Sequence, residues 1–408
     1  MKYQDWKPMN KNNKHKLIPK LRFPEFQNDG EWEVKKVGDI LVESKIPLKI
    51  NDLEKRITVR LNLKGVEKRE YRGTESENAT YFFERKKGQF IYGKQNLHKG
   101  AFGIIPEELD GYASSQDLPA FDFQNGFFPK FFLHYLSQET VYPELEKIAT
   151  GTGSKRIHPK EFYNVSIPVP SLPEQQKIAS CLSSLDEVIT GEQQKLELLK
   201  QHKKGLLQNL FPQEGETVPK IRFKEFENSG EWVDRIIEQV AKVTTGNKDT
   251  QNKVDDGEYP FFVRSQNVER IDSYSYDGEA ILTSGDGVGV GKNFHYVNGK
   301  FDFHQRVYCI YDFEKEVSGK YVYMYFSQHF YKRVMRMSAK NSVDSVRRSM
   351  ITEMPILMPS KKEQEKIADT LSSIDEFITA QTQKIEQLQQ HKKGLLQGLF
   401  PNMNEHHG

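Results

Sequence analysis

Cysteine is scarce in this chain: Cys181 and Cys309 are the only two among 408 residues. They are too few and too far apart for a disulfide framework or a thiolate metal site. No stretch approaches the ~20 consecutive apolar residues that span a bilayer. The opening MKYQDWKPMNKNNKHK has no apolar signal region, so the expectation is a soluble, cytoplasmic protein with no membrane partner. A net charge of +2 excludes a uniformly basic chain, so any nucleic-acid contact has to come from local clusters. Catalytic patterns are missing as well: there are no paired histidines at metal spacing, no nucleophile elbow and no Asn-Pro-Pro-aromatic motif. Lone Glu-x-Lys triplets such as residues 84–86 are too common to indicate a nuclease. Residues 285–292, GDGVGVGK, imitate a phosphate loop but fail its spacing, with Asp286 where glycine is needed and Asn293 where Ser or Thr would hold magnesium. The dinucleotide pattern fails at Val290 and Lys292, which leaves tight hairpin turns as the reading. Nothing points to catalysis, a metal or a bound cofactor.

What is present is repetition. Residues 19–32, PKLRFPEFQNDGEW, return as 219–232, PKIRFKEFENSGEW, with 10 of 14 residues identical. Residues 174–212 return as 363–401 with 27 of 39 identical, beginning EQ-x-KIA and ending HKKGLLQ-x-LFP. Thr370 replaces Cys181 in the second copy, so the frame needs no thiol there. Between the shared ends lie two long stretches with little likeness to each other. One scaffold therefore presents two different surfaces. The chain divides into an N-terminal segment (1–18), a first domain (19–170), a first helix (171–211), a linker (212–218), a second domain (219–359), a second helix (360–401) and a tail (402–408).

In the helical repeats, apolar residues fall at Ile178, Leu182, Leu185, Ile189, Leu196, Leu199, Leu206 and Leu210, and at their counterparts from Ile367 to Leu399. Polar Glu192, Lys203, Gln381 and Lys392 fill the gaps. A seam repeating every ~3.5 residues is a coiled-coil signature. Ser171 and Pro173 mark a start, and the Phe-Pro pairs at 211–212 and 400–401 mark the ends. Each helix would be a rod of ~57 Å at ~1.5 Å per residue. The expectation is that the two pack antiparallel, as a ruler with the variable domains at opposite ends; the alternative is that each stripe packs on its own domain. Retention of Gly205 and Gly394 implies close packing against another backbone, although common ancestry of the halves explains it equally. The tail reads as the upstream half of a linker whose downstream half is the N-terminus, so the arrangement is expected to be cyclic, and a permuted chain joined from His407 to Met1 and opened near Gly215 should fold.

Both variable regions carry short aromatic and β-branched runs broken by Gly, Asn and Asp, which argue for mixed, twisted sheets. Helices are expected over 129–138 and 320–335. Corresponding segments hold side chains suited to base edges: Arg60, Asn62 and Lys64 against Arg264, Gln266 and Asn267; Lys94, Gln95, Asn96 and Lys99 against Ser284, Asp286 and Lys292; Ser115 and Gln116 against His304, Gln305 and Arg306. Arginine to guanine, and Asn or Gln to adenine, are the favoured bidentate pairings. Two basic stretches, 147–160 with Lys155 and Arg156, and 330–350 with Lys332, Arg333, Arg336, Lys340, Arg347 and Arg348 against Asp344, precede the two helices and fit phosphate contact.

Together these features resemble the specificity subunits of type I restriction-modification enzymes, over essentially the whole chain. The resemblance rests on the paired PK-x-RF-x-EF elements, the paired helices and the unlike inserts. It implies an α+β fold of two mixed α/β target-recognition domains separated by two long antiparallel helices in a coiled coil, pseudo-twofold and circularly arranged. It implies double-stranded DNA read as two half-sites of an asymmetric site, and helices that set the spacer and dock two methyltransferase subunits. Two restriction subunits would complete the complex, with S-adenosylmethionine on the methyltransferase and no cofactor here. The competing readings are a non-catalytic protein-interaction scaffold and an enzyme using the inserts for independent catalysis, the latter disfavoured by the missing catalytic patterns.

Overall fold

A computed structural model describes residues 17–49, 52–71, 73, 81–151, 154–338 and 345–401. The tail, all but the end of the N-terminal segment, and Lys340 and Asp344 of the second basic stretch lie outside the described residues. The chain forms two compact units: Met1–Gln193 with Lys384–Gly408 (unit 1), and Gln194–Gln383 (unit 2). The boundary falls within each long helix.

In unit 1, strands β1 (Glu33–Lys36), β2 (Leu41–Ser44), β3 (Ile46–Pro47), β4 (Ile57–Val59), β5 (Val66–Lys68), β6 (Phe82–Glu84), β7 (Phe90–Tyr92), β8 (Phe102–Ile104), β9 (Ala113–Ser115), β10 (Ala120–Phe123) and β11 (Ser166–Val169) surround the short helices α1 (Val37–Ile40), α2 (Pro129–Leu136) and α3 (Pro159–Phe162). Its sheets run β2-β10-β7-β8, β3-β6-β9, β4-β5 and β1-β11, every named pair antiparallel. The long helix α4 spans Leu172–Asn209.

In unit 2, β12 (Val233–Ile236), β13 (Lys242–Thr245), β14 (Tyr259–Phe262), β15 (Glu269–Ile271), β16 (Tyr276–Ser284), β17 (Phe294–Phe303), β18 (Val307–Tyr311) and β19 (Pro355–Met358) accompany α5 (Gly319–Met337), α6 (Arg348–Thr352) and the second long helix α7 (Lys361–Leu399). A six-stranded sheet of order β13-β18-β16-β17-β14-β15 is mixed, β14 running parallel to β17, and β12 pairs with β19 apart from it. The mixed sheet expected of both domains is thus present in unit 2, while the named strands of unit 1 pair only antiparallel.

The repeated residues build the same frame in each unit. Arg22 of the PK-x-RF element donates from Nε and Nη2 to the two oxygens of Glu174 at 2.8 and 2.7 Å, and from Nη1 to the Gly30 carbonyl at 2.6 Å. Arg222 does the same with Glu363 at 2.7 and 2.8 Å and with Gly230 at 2.6 Å. Both glycines hold left-handed φ values, +74° and +76°, where a β-carbon would be strained. The glutamine after each glutamate caps the domain helix. Gln175 accepts the Phe128 N–H at 2.9 Å ahead of α2, and Gln364 accepts the Ser318 N–H at 2.9 Å ahead of α5.

The ends of the long helices close each frame. The Leu21 N–H donates to the Gly398 carbonyl at 2.8 Å in unit 1, and Ile221 to Asn209 at 3.0 Å in unit 2. Phe400 packs on Trp32, Phe131 and Tyr135, and Phe211 packs on Tyr321 and Tyr325. The cyclic closure expected of the chain is therefore carried by its described residues within unit 1.

The helical seam serves both packing modes. Ile178, Ala179 and Leu182 enter the core of unit 1, and Ile367, Ala368 and Leu371 that of unit 2. The polar gaps pair helix to helix: Lys392 with Asp186 and Lys384 with Glu192 in unit 1, Lys203 with Asp375 in unit 2. In unit 1, Asp186 meets Lys392 and Glu192 meets Lys384, so rising numbers on α4 meet falling numbers on α7 and the helices run antiparallel there. Among the described residues the expected close packing at Gly205 and Gly394 is absent, because a β-carbon at either would meet none of their atoms within 4 Å.

Candidate nucleic-acid interface

In unit 1 the sequence-selected loops are joined by backbone hydrogen bonds. The β4–β5 turn carries Arg60, Asn62 and Lys64, all exposed, with Asn62 and Leu63 at φ of +57° and +59°. Its Asn62 and Leu63 N–H groups donate to the Lys99 and Gly100 carbonyls at 2.9 and 3.0 Å. A β-carbon on Gly100 would lie 2.9 Å from the Leu63 nitrogen, so this approach requires glycine. At the other end of that loop, the Lys94 N–H donates to Asp117 at 3.0 Å, and the Lys94 carbonyl accepts from Ile157 at 2.8 Å. The bonds thus draw Arg60, Asn62, Lys64, Lys94, Gln95, Asn96, Lys99, Ser115, Gln116 and Arg156 into one chain of loops. Acids accompany the cations: Arg60 pairs with Glu67 at 2.6 Å, Lys155 with Glu146 at 3.3 Å, and Arg156 faces Asp117 at 3.7 Å. The buried Nε of Arg156 has no hydrogen-bond partner among the described residues.

In unit 2 a different arrangement stands on the same frame. Arg264, just beyond β14, donates from Nη1 to Asp286 Oδ1 at 2.9 Å. Arg306, in the turn between β17 and β18, donates from Nη1 to Asp286 Oδ2 at 2.6 Å. The arginine side chains remain 44% and 63% exposed and the carboxylate 16%. Burial pushes the Asp286 pKa up, but hydrogen bonds and charge from the two arginines outweigh it, and the net shift is downward. The loop holding Asp286 is anchored on both sides: the Gly285 N–H donates to the Arg306 carbonyl at 2.8 Å, and Val346 donates to Gly285 at 2.7 Å. Exposed Arg347 follows directly. Gln266 and Asn267 are exposed beside Arg264, Gln305 bonds Asp249 at 2.9 Å, and Lys292 lies over the Tyr331 ring at 5.9 Å.

Three of the chosen residues face elsewhere. Ser284 is 1% exposed because it ends β16, a strand flanked on both sides in the sheet. His304 is 2% exposed and accepts the Arg306 N–H on Nδ1 at 2.9 Å, and burial lowers its pKa. Both support the loops and are not placed to touch a base. Arg348 donates to the Val243 carbonyl at 2.7 Å and braces β13. Within the second basic stretch, Arg333 bonds the Met350 and Glu353 carbonyls and Arg336 pairs with Glu214, so those cations are engaged inside the unit. Asp286, grouped from the sequence with the side chains suited to base edges, instead serves as the carboxylate that gathers two arginines, a role its spacing did not signal. Sequence reasoning also passed over Val288, 97% exposed at the tip of that hairpin. Among the described residues, no group of three or more His, Cys, Asp or Glu side chains could hold a metal ion, and no helix is long and apolar enough to cross a membrane.

Comparison with known proteins follows the same duplicated layout. A family model described as the type I restriction modification DNA specificity domain matches residues 29–201 and 229–390. The chain is 26% identical over 171 residues to the type I restriction enzyme EcoDI specificity subunit of Escherichia coli, covering 42% of this chain and 37% of that protein. It is also 26% identical over 282 residues to the MjaVIII specificity subunit of Methanocaldococcus jannaschii, covering 62% and 65%. The chain therefore spans between about a third and two thirds of the length of these curated relatives. Its fold is similar to the crystal structure of a type I restriction-modification S subunit from M. genitalium, with TM-score 0.63 at 14% identity over 95% of this chain and 100% of that one. A chain from a structural study of complex assembly and conformational transition in the type I R-M system follows, with TM-score 0.52 at 16% identity over 91% and 98%.

Proposed function

Since the chain belongs to the type I restriction modification DNA specificity family, we propose that it is the non-catalytic, DNA-reading subunit of a type I restriction-modification complex. Each unit reads one half of a bipartite, asymmetric site on double-stranded DNA. The observation that carries this reading is one frame, bonded identically in both units, bearing two unlike sets of exposed cationic and amide side chains. Duplicated frames suit two identical partners, here two methyltransferase subunits that would hold S-adenosylmethionine and modify adenine. The long helices would set the spacer between half-sites, and two restriction subunits would complete the nuclease. Phosphate contacts from lysines would supply much of the affinity, and base contacts the sequence. Family membership does not favour the interaction-scaffold alternative.

The test is expression with the cognate methyltransferase subunit in a methylation-free host, followed by genome-wide mapping of methylated adenines. A single bipartite motif with a fixed gap is expected. Absence of methylation despite a soluble complex would overturn the reading.

A further inference from the structure

We propose that Asp286 is a positioning residue that holds Arg264 and Arg306 as a paired guanine reader, so that the half-site contacted by unit 2 contains guanine. This rests on the DNA-reading function proposed above. Each arginine donates one Nη1 hydrogen to the shared carboxylate, at 2.9 and 2.6 Å. Five N–H donors on a guanidinium leave the rest of each fork unspent. Guanine is the base that offers two acceptors, N7 and O6, side by side in the major groove, whereas adenine pairs an acceptor with a donor. Two guanidinium groups gathered on one carboxylate lie close enough to address adjacent or next-adjacent base pairs, which are ~3.4 Å apart.

Stability does not explain the arrangement. With each guanidinium still 44% or 63% exposed, these ion pairs mainly offset the cost of the part-buried carboxylate and add little net stability. What they do is restrict two long side chains before a ligand arrives, which lowers the entropy lost on binding. The backbones are fixed as well. The Arg306 N–H bonds His304 Nδ1 at 2.9 Å and its carbonyl accepts from Gly285, while the Arg264 carbonyl accepts from Asn293 Nδ2 at 3.2 Å. One carboxylate against two guanidinium groups leaves the cluster a net cation, so acceptors remain attractive. A backbone phosphate would also accept both forks, and Arg→Lys substitution separates the two ligands: lysine keeps the charge but cannot reproduce a bidentate fork.

The experiment selects duplexes from a randomised library with the full chain bound to its methyltransferase subunits, for the wild type and for Arg264→Lys, Arg306→Lys, Asp286→Asn and Asp286→Glu. The wild type should select guanine at two positions of one half-site. Each lysine variant should lose preference at one of them by roughly 5- to 100-fold, with the other half-site and the salt dependence unchanged. Asp286→Asn should weaken both positions and Asp286→Glu should partly restore them. A bipartite motif without guanine in the affected half, an unchanged motif in both lysine variants, or affinity falling equally on all sequences overturns the proposal and leaves the DNA-reading function standing. No motif from an intact wild-type complex overturns both. The lysine variants sit at exposed positions, so folding does not obscure the result.

Discussion

In unit 2, two arginines far apart in sequence converge on Asp286, while in unit 1 Arg60 is matched by Glu67 within one hairpin and Arg156 stands 3.7 Å from Asp117. Among the base-edge and phosphate candidates of unit 1, the remaining cations are lysines: Lys64, Lys94, Lys99 and Lys155. A guanidinium is a planar fork suited to base edges, and an ammonium is a point charge suited to phosphate. The frames beneath are bonded alike, so the difference lies wholly in what the inserts add. One scaffold can therefore change its recognised sequence by exchanging an insert, provided the arginine–glutamate and glutamine-cap bonds are kept.

The largest effect should come from breaking what the units share. Glu174 and Glu363 are each 1% exposed, and losing Arg22 or Arg222 would strand a buried carboxylate. Arg22→Ala and Arg222→Ala should each destabilise their own unit by about 3 kcal/mol or more. Urea unfolding, with hydrogen exchange to assign the unit, would measure this, and a loss confined to one variant would break the claim of a common frame.

Next comes acid. His134 on α2 and His329 on α5 are both pushed down to about 4 by burial. Each stays neutral in the folded unit while the unfolded chain takes up a proton below about pH 6.5. The stability contributed by each neutral histidine is therefore fully present above pH 6.5 and falls as the pH drops toward 4, by about 3 kcal/mol per histidine. His134→Gln should flatten that slope for unit 1 alone and His329→Gln for unit 2 alone; an unaltered pH dependence would refute the assignment.

Smaller again is the effect of the unit 1 lysines. Lys64→Ala or Lys99→Ala should weaken duplex binding similarly across sequences and lower the salt slope by about one. A change of selected base would instead make unit 1 a reader through its lysines and erase the contrast with unit 2.

The frame was legible because it is written twice, and the domain helices were found at Pro129–Leu136 and Gly319–Met337 against expectations of 129–138 and 320–335. What the repeats did not reveal was their use. Arg22 and Glu174 are 152 residues apart, and identity between copies says that both matter without saying that they touch. The fork was hidden for a similar reason, since Asp286 reaches arginines 22 and 20 residues away across a sheet. Ser284 and His304 misled because polarity was read as exposure, although a flanked strand and an inward backbone bond bury them. The unit boundary inside each helix leaves no trace in the seam, whose spacing is the same whether a residue faces a domain or the other helix.

The smallest predicted effect concerns Gly205 and Gly394. Their recurrence in HKKGLLQ invited the idea of a backbone packed against them, but a β-carbon at either would meet nothing among the described residues within 4 Å, and neither has the positive φ that would demand glycine. Each lies in the helical interior, where glycine is worse than alanine by ~1 kcal/mol through lost backbone entropy. Gly205→Ala and Gly394→Ala should therefore stabilise their units by similar amounts, about 0.5–1 kcal/mol, read as a higher urea midpoint at unchanged slope. The Asn209 amide bonds the Gly205 carbonyl at 2.7 Å, whereas the counterpart position on α7 is Gly398, which has no side chain to do so. That bond reaches the backbone and would survive a β-carbon, so it gives no reason for the two sites to differ. A gain at one site and a loss at the other would show that the helices, and not only the inserts, distinguish the units.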